Sequence, residues 1–216
     1  MQLWTYLAQT LLSLSPDMAT RQQSSSIKTT VYFGYGSNLW RHQMEQRCPT
    51  SEYLGVARLN DFRWIINERG YANVVQIPRN ESEAGAEAYE DEVWGLVYTL
   101  YKQDEKRLDR NEGVPVAYTK ETLKCDFWNA SSGAANITDK PKEVDMLVYI
   151  NRNQIEPDEP KHEYIYRMNM GIKDALNEGV PKGYVDKVMR PFIPDVEDEK
   201  VKELARRQML EFEDER

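Results

Sequence analysis

Short apolar runs between residues 31 and 150 predict a series of β-strands. Val31–Phe33 is a brief apolar run that Gly34 ends. Val93–Tyr101 is apolar on both faces, which is typical of a strand in the middle of a packed sheet. The other predicted strands are 52–58, 61–67, 74–77, 117–128 and 143–150. The turn residues between the first two of these predict that 52–58 and 61–67 form a hairpin.

Helical periodicity replaces the strand pattern in the last third of the chain. Apolar residues recur every three or four positions between Pro160 and Gly179, which predicts a long helix, and a shorter helix is expected after Pro181. Two short helices are predicted earlier, from Leu39 to Gln46 with Asn38 as N-cap and from Gln103 to Asn111.

These elements together predict an α+β fold with a mixed or antiparallel sheet that closes into a small barrel flanked by helices. The absence of repeats and of a clear linker favours one domain over residues 29–194. Residues 1–28 are expected to be a variable extension, because their first sixteen residues carry no charge and show no element of the fold. Residues 195–216 are rich in charge and predict a surface helix or tail.

Composition and charge exclude several kinds of partner. The 216 residues carry a formal net charge of −8, which argues against nucleic acid and against anionic membranes, since both require a clustered basic surface. The amino-terminal segment lacks a basic region, and its apolar run is too short to span a bilayer. We therefore expect a cytoplasmic protein.

The scarcity of cysteine and histidine limits the kinds of metal site and catalytic mechanism that we expect. The chain has two cysteines, Cys48 and Cys125, and two histidines, His42 and His162, with no CxxC or HExxH motif. Cys125 alternates with apolar residues, which predicts a buried core thiol. GxSxG is absent as well. We therefore expect no metal, no cofactor and no nucleophile-elbow hydrolase.

The densest local motif is the turn Tyr32–Leu39. Two glycines, Gly34 and Gly36, straddle Tyr35 between a predicted strand and a predicted helix. Such a turn can expose backbone N–H groups at the positive end of a helix, where an anion binds. It is neither a dinucleotide fingerprint, because Leu39 replaces the third glycine, nor a P-loop. A tight turn that simply needs glycine explains the same residues equally well.

The second motif places Glu112 at the end of a short helix, next to Gly113. The helix dipole disfavours negative charge there, so the pKa of Glu112 is predicted to be raised, as a general base requires. An exposed glutamate beside a helix-ending glycine is the simpler alternative. An anion-binding turn and one carboxylate base can together activate an amine or a water beside a bound carboxylate.

Several short segments in the order found here resemble the γ-glutamylcyclotransferases. The resemblance spans roughly residues 30–194, and its length makes it more specific than any one motif. Its segments are Tyr35-Gly36-Ser37-Asn38-Leu39, Val56-Ala57-Arg58-Leu59 with Asp61-Phe62, Asp91-Glu92-Val93-Trp94-Gly95, Asn111-Glu112-Gly113-Val114 and the stretch Gly171–Pro181.

The resemblance implies conversion of a γ-glutamyl amino acid to 5-oxoproline and a free amino acid, with Glu112 as general base. Tyr164 then lines the site, although its place on the helical stripe is equally explained by the core. A homodimer is compatible with the resemblance. The residues that it assigns to holding the glutamyl group are Tyr32, Phe33, Gly34, Tyr35, Gly36 and Ser37.

Other functions remain open at this point. A glutathione-specific or γ-glutamylamine cyclotransferase would share the reaction, and a non-catalytic γ-glutamyl-binding module would share the fold. Asn38 after Tyr-Gly-Ser and the segment Asn111–Val114 favour an enzyme that is not glutathione-specific, and Glu112 itself argues against a decayed site. For Asn38 we favour a helix cap over substrate binding. Substrate choice is expected to depend on the loops 80–92, which is acidic, and 129–142.

Overall fold

The computed structural model describes residues 29–78, 89–130, 133–196 and 202–210. Its strands are β1 (Thr30–Gly34), β2 (Tyr53–Asn60), β3 (Phe62–Ile66), β4 (Ala72–Gln76), β5 (Glu92–Leu100), β6 (Thr119–Asn129) and β7 (Lys142–Ile150). Five of them close a barrel in the order β1-β5-β2-β6-β7. The neighbours are antiparallel except for β7 and β1, which are parallel with Tyr32 opposite Leu147. The predicted α+β fold with a small mixed barrel is confirmed.

The predicted hairpin between 52–58 and 61–67 is wrong. Strand β2 already has β5 on one edge and β6 on the other, so no edge remains for the residues that follow it. Asp61, with a φ of 63°, turns the chain out of the barrel. Strand β3 then pairs with β4 in a separate two-stranded sheet, with Trp64 opposite Val74.

Strand β5 confirms the prediction of a central, fully packed strand. It lies between β1 and β2, and residues 93–98 are all buried. Its two apolar faces are explained by this position, because one side of a barrel strand meets the interior and the other meets the covering elements. Cys125 on β6 is buried as predicted.

The helices cover the outside of the barrel. They are α1 (Arg41–Arg47), α2 (Lys102–Asn111), α3 (His162–Glu178), α4 (Lys182–Tyr184) and α5 (Lys202–Leu210). A 3₁₀ helix, Ser37–Leu39, precedes α1, and a π-helical turn, Val185–Met189, follows α4. The predicted helices are confirmed, but the first begins at Arg41 because the 3₁₀ helix takes the positions before it. Helix α5 lies within the predicted tail and buries Ala205 completely.

Helix α3 approaches the 3₁₀ helix very closely at Gly171. A Cβ atom at this position would lie 2.9 Å from the Leu39 Cβ and 2.9 Å from the Trp40 nitrogen. The missing side chain therefore lets the two helices touch through their backbones, as glycine does where elements pack tightly. This contact brings the first two turns of α3 next to the turn that follows β1.

None of the described helices is long and apolar enough to cross a membrane. The predicted extension 1–28 and most of the predicted acidic loop 80–92, namely residues 80–88, lie outside the described residues. The domain boundaries at 29–194 stay a prediction.

Candidate active site

A pocket opens where the end of β1, the 3₁₀ helix, the end of α2, the β3–β4 hairpin and α3 meet. Glu112 lies in it together with two guanidinium groups, those of Arg47 and Arg167. Most of its wall is aromatic. The tyrosines that line it are Tyr32, Tyr35, Tyr71, Tyr118, Tyr149 and Tyr164.

The structure brings most of the predicted site residues together. The pocket is lined by Tyr32, Tyr35, Gly36, Ser37, Glu112 and Tyr164. Phe33 and Gly34 are not among the residues that line it, so the structure does not bring these two to the pocket with the others. Because successive side chains of a strand point to opposite faces, Phe33 points away from Tyr32 and into the core beside Gly95. Gly34 lies opposite Leu96 in the barrel ladder.

Glu112 is the C-terminal cap of α2 and is largely buried, with 17% of its side chain exposed. Its Oε1 accepts a hydrogen bond of 2.9 Å from the Asn38 Nδ2 and lies 4.0 Å from an Arg47 nitrogen. Burial raises the pKa of Glu112 above its usual value, against the opposing effects of Arg47, Asn38, Arg167 and Arg69. The direction agrees with the sequence prediction, but the largest cause is burial and not the helix end.

Asn38 connects the carboxylate to the surrounding side chains, so the prediction that it caps a helix is wrong. Its Nδ2 donates to Glu112 and, at 2.8 Å, to the Tyr32 hydroxyl. Its Oδ1 accepts from Gln43 at 2.8 Å and from Arg47 at 3.2 Å. The 3₁₀ helix moves the cap position of α1 to Trp40, which leaves the amide of Asn38 inside the pocket.

The backbone of the turn is less open than the sequence predicts. The Ser37 N–H donates to the Tyr164 hydroxyl at 3.1 Å, and the N–H groups of Leu39 and Trp40 donate to carbonyls of the same turn. The Ser37 hydroxyl accepts from Gln43 at 3.0 Å. The prediction that these N–H groups bind an anion is therefore not supported for the three that already have protein partners.

The Tyr164 hydroxyl joins the turn to the β3–β4 hairpin. Its oxygen accepts the Ser37 N–H and, at 3.3 Å, the Ala72 N–H. Burial raises the pKa of Tyr164 to about 12, so the hydroxyl keeps its proton at neutral pH. With two backbone donors on the oxygen, that proton is available to a further acceptor in the pocket.

The guanidinium groups of Arg47 and Arg167 line the same pocket as the Glu112 carboxylate. Arg167 makes a two-point ion pair with Glu163, at 2.8 and 3.0 Å, and donates to the Ser37 hydroxyl at 3.2 Å. Burial, followed by the charge of Arg167, lowers the pKa of Arg47 to about 10. Arg47 therefore still carries a positive charge at neutral pH and lies close to Glu112, whereas the guanidinium of Arg167 is paired with Glu163.

Three of the lining tyrosines use their hydroxyls to hold the wall together. Tyr118 donates to the Ala72 carbonyl at 2.9 Å, Tyr35 to the Tyr149 carbonyl at 2.6 Å, and Tyr149 to Asp109 at 2.7 Å.

Sequence reasoning missed Tyr71, Tyr118, Tyr149, Arg47 and Arg167. Only Arg167 had a usable signal, because it stands three positions after Tyr164 and so shares its helix face. Among the described residues, no group of three or more His, Cys, Asp or Glu side chains could hold a metal ion.

We expect Gly36→Ala to lower the free energy of unfolding by roughly 1–3 kcal/mol. A Cβ atom at Gly36 would lie 2.8 Å from the Tyr164 hydroxyl and 3.1 Å from the Ala72 Cβ. Tyr164 has little room to move, because it is buried and packs edge-on against Tyr71 with 5.1 Å between ring centroids. Urea denaturation of the variant and the wild type measures the difference.

A double variant tests the steric reason. Tyr164→Phe removes the atom closest to the new methyl group, so Gly36→Ala combined with Tyr164→Phe should be less destabilised than the sum of the two single variants. Simple addition of the two effects would show that the hydroxyl is not what excludes a side chain at Gly36.

Comparisons with known proteins point to one family. Residues 32–167 match the family described as "Gamma-glutamyl cyclotransferase, AIG2-like". The chain is 28% identical over 169 residues to the γ-glutamylcyclotransferase of Mus musculus, an alignment that covers 74% of this chain and 78% of the relative. For the γ-glutamylcyclotransferase of Homo sapiens the identity is also 28%, with 73% and 76% covered.

Solved structures give the same assignment. A structure titled "Gamma-glutamyl cyclotransferase" superposes with a TM-score of 0.59 at 25% identity, covering 83% of this chain and 99% of the other. The family match alone takes in more than half of the chain. With its five-stranded barrel and its pocket around Glu112, this chain belongs to the γ-glutamyl cyclotransferase, AIG2-like family of enzymes.

Proposed function

We propose that this protein converts γ-glutamyl amino acids to 5-oxoproline and a free amino acid. The observation that carries the proposal is Glu112, a largely buried carboxylate with a raised pKa, held by Asn38 in a pocket lined by tyrosines. The similar proteins of mouse and man that bear the name γ-glutamylcyclotransferase support the same reaction.

The nucleophile of this reaction belongs to the substrate. The α-amine of the glutamyl group attacks its own γ-carbonyl carbon, so a correct bound conformation supplies much of the rate through proximity. The amine is protonated in solution and must lose a proton before it can attack. Glu112 accepts that proton, and its raised pKa makes it a stronger base than an ordinary carboxylate.

The second half of the reaction returns the proton. As the new C–N bond forms, the carbonyl electron pair moves to oxygen and gives a tetrahedral intermediate. Glu112 gives this proton to the leaving nitrogen, and collapse of the intermediate breaks the bond between that nitrogen and the carbonyl carbon. The ring nitrogen still carries one extra proton from the original ammonium. Glu112 takes up this second proton and passes it to the departing amine, so that 5-oxoproline and the free amino acid are released. No water is consumed, and the carboxylate is restored.

The developing negative charge on the carbonyl oxygen needs a hydrogen-bond donor. We assign this role to the Tyr164 hydroxyl, whose oxygen is already fixed by two backbone N–H groups while its proton remains to be donated. Tyr32, Tyr35, Gly36 and Ser37 form the adjoining wall that would contact the glutamyl group.

The substrate's own charge is also accommodated. The glutamyl α-carboxylate would be attracted mainly by Arg47, because the charge of Arg167 is already paired with Glu163 and a buried charge acts more strongly than an exposed one.

The test is release of 5-oxoproline by purified protein from γ-glutamyl-alanine, from glutathione and from a γ-glutamylamine. We expect γ-glutamyl-alanine to react, with one alanine formed per 5-oxoproline. N-acetyl-γ-glutamyl-alanine is the matched control, since its blocked amine cannot attack the carbonyl. Turnover of that compound would contradict the intramolecular mechanism.

The remaining outcomes separate the alternatives. Reaction of glutathione or of the γ-glutamylamine alone would keep the chemistry and correct the substrate class. Binding of γ-glutamyl-alanine without turnover would favour a non-catalytic γ-glutamyl-binding module. A cytoplasmic location and a homodimer stay predictions, which cell fractionation and sedimentation velocity can test.

A further inference from the structure

A cationic residue, Arg69, stands beside the pocket at the tip of the β3–β4 hairpin. Its guanidinium carbon lies 5.7 Å from the centre of the Tyr71 ring and 5.8 Å from the centre of the Tyr118 ring. Both rings line the pocket that contains Glu112. The Lys161 ammonium lies 5.4 Å from the same Tyr71 ring, so two cations surround one aromatic wall of the pocket.

The positive charge of Arg69 acts on two groups of the pocket, Glu112 and Tyr118. It is one of the charges that hold down the pKa of Glu112 and of Tyr118 against the effect of burial. A negatively charged group of a bound molecule near those residues would therefore be attracted by it. Arg69 itself is half-buried, which weakens the screening of this attraction by solvent.

Hydrogen bonds hold the backbone of the hairpin tip around Arg69. The side-chain oxygen of the buried Asn67 accepts the N–H groups of Arg69, at 3.1 Å, and of Tyr71, at 3.4 Å. Gly70, in the left-handed region with a φ of 81°, donates its N–H to the Asn67 carbonyl at 2.8 Å. Its own carbonyl accepts the Lys161 N–H at 3.2 Å, which holds the backbone of Lys161 against the hairpin tip. A cation held in place binds a carboxylate with a smaller loss of entropy.

The substrate of the proposed reaction carries two carboxylates. One belongs to the glutamyl group, and the other belongs to the leaving amino acid. In an α-amino acid the carboxyl carbon is roughly 2.5 Å from the nitrogen whose bond is broken, so a group that recognises it must lie directly beside the reacting centre. A γ-glutamylamine has no such carboxylate. A guanidinium is suited to recognising one, because its paired N–H donors match the two oxygens.

We infer that Arg69, assisted by Lys161, binds the carboxylate of the leaving amino acid and so selects γ-glutamyl amino acids over γ-glutamylamines. This inference rests on the proposed cyclotransferase function and adds a specificity-determining residue to it. The carboxylate of the leaving amino acid would then lie at the Arg69 guanidinium beside the Tyr71 and Tyr118 rings, and the glutamyl carboxylate would lie nearer Arg47.

The test compares γ-glutamyl-alanine with γ-glutamyl-alaninamide, which has nearly the same shape and keeps the glutamyl carboxylate but lacks the carboxylate of the leaving amino acid. We expect wild-type kcat/KM to be about 10- to 100-fold higher for the acid than for the amide, which is the range of a charge-assisted hydrogen bond. In Arg69→Gln this ratio should fall to about one, mainly through a higher KM for the acid. Arg69→Lys should keep part of the ratio.

Arg63→Gln is the matched control, since Arg63 is an exposed arginine on strand β3 of the same hairpin. It should retain the wild-type ratio. The inference is overturned if the wild type treats acid and amide alike, if Arg69→Gln lowers both substrates equally, or if Arg63→Gln removes the preference as well.

Calorimetric binding of the acid and the amide to Glu112→Gln separates this inference from the proposed function. If the wild type turns over neither compound, while Glu112→Gln binds the acid preferentially and the added change Arg69→Gln removes that preference, the reaction is refuted and the carboxylate site is supported. Turnover of both compounds with no preference would support the reaction and refute the site. Absence of both binding and turnover would refute both.

Discussion

Glu112→Gln is expected to lower kcat for 5-oxoproline release by about 10²- to 10⁴-fold, the range expected for loss of a general base. The glutamine oxygen can still accept the hydrogen bond from Asn38, so the shape of the pocket is kept while the proton acceptor is lost. Steady-state kinetics with γ-glutamyl-alanine measures the effect. A residual rate within a factor of ten of wild type would place the base elsewhere.

The stability of this variant provides its folding control. Burial raises the pKa of Glu112 in the folded state, so its ionisation disfavours folding at pH values above that pKa. Glutamine stays neutral and removes the penalty. We therefore expect Tm of Glu112→Gln at neutral pH to equal or exceed that of wild type, with the difference shrinking as pH falls and the wild-type carboxyl also becomes neutral.

Glu105→Gln is the matched control for the chemistry. Glu105 lies on the same helix, α2, and contacts Thr30 and Lys120 away from the pocket. It should change kcat by less than about threefold, because surface ion pairs contribute little to function or stability at a distance. A loss comparable to that of Glu112→Gln would mean that the kinetic effect comes from disturbing the helix.

Asn38→Ala is expected to lower kcat/KM by about 10- to 100-fold and the free energy of unfolding by roughly 2–4 kcal/mol. The truncation removes the partner of Glu112, Tyr32, Gln43 and Arg47 at once. It also removes a hydrogen bond that lowers the pKa of Glu112, so that pKa rises further. The acid limb of the kcat/KM profile should move to higher pH, and the substrate amine, common to all variants, cannot cause that shift.

Asn38→Asp distinguishes the electrostatic effect from the packing effect. Aspartate keeps the acceptor for Gln43 and Arg47 but cannot donate to Glu112, and it adds a negative charge beside that carboxylate. It should be more stable than Asn38→Ala and should show at least as large a shift of the acid limb. Wild-type activity and an unmoved acid limb in Asn38→Ala would show that Asn38 does not position the base.

The sequence predicted those parts of the molecule that depend on local patterns. Strand β5 was recognisable because it is apolar on both faces, and α3 because its apolar residues recur at helical spacing. The pairing of β2 was predicted wrongly, since a short turn at Asn60 and Asp61 looks the same whether the next strand folds back or leaves the barrel. Only the occupation of both edges of β2 decides between them.

In the candidate site, too, local motifs were predicted correctly and contacts between distant parts of the chain were not. Glu112 and the turn from Tyr35 to Ser37 could be found because each is a compact motif. The role of Asn38 was predicted wrongly because helix-capping preference is a local rule, whereas the 3₁₀ helix and the distant carboxylate determine its actual partners. Tyr71 and Tyr118 come from separate parts of the chain and meet only in the folded protein, so no spacing in the sequence could reveal them.

The separation of the β3–β4 hairpin from the barrel has a consequence for how substrate preference can diverge. The hairpin has its own hydrogen-bond ladder, while Glu112 is anchored by α2 on the barrel side. Residues at the hairpin tip can therefore be exchanged, by natural variation or by grafting, without altering the register of any barrel strand. If Glu112 and Arg69 have the proposed roles, catalysis and selectivity depend on different ladders that meet at Ala72, which contacts Tyr164 and Tyr118. New γ-glutamyl substrates are then best sought by changing Arg69 while the residues that form the tip are kept.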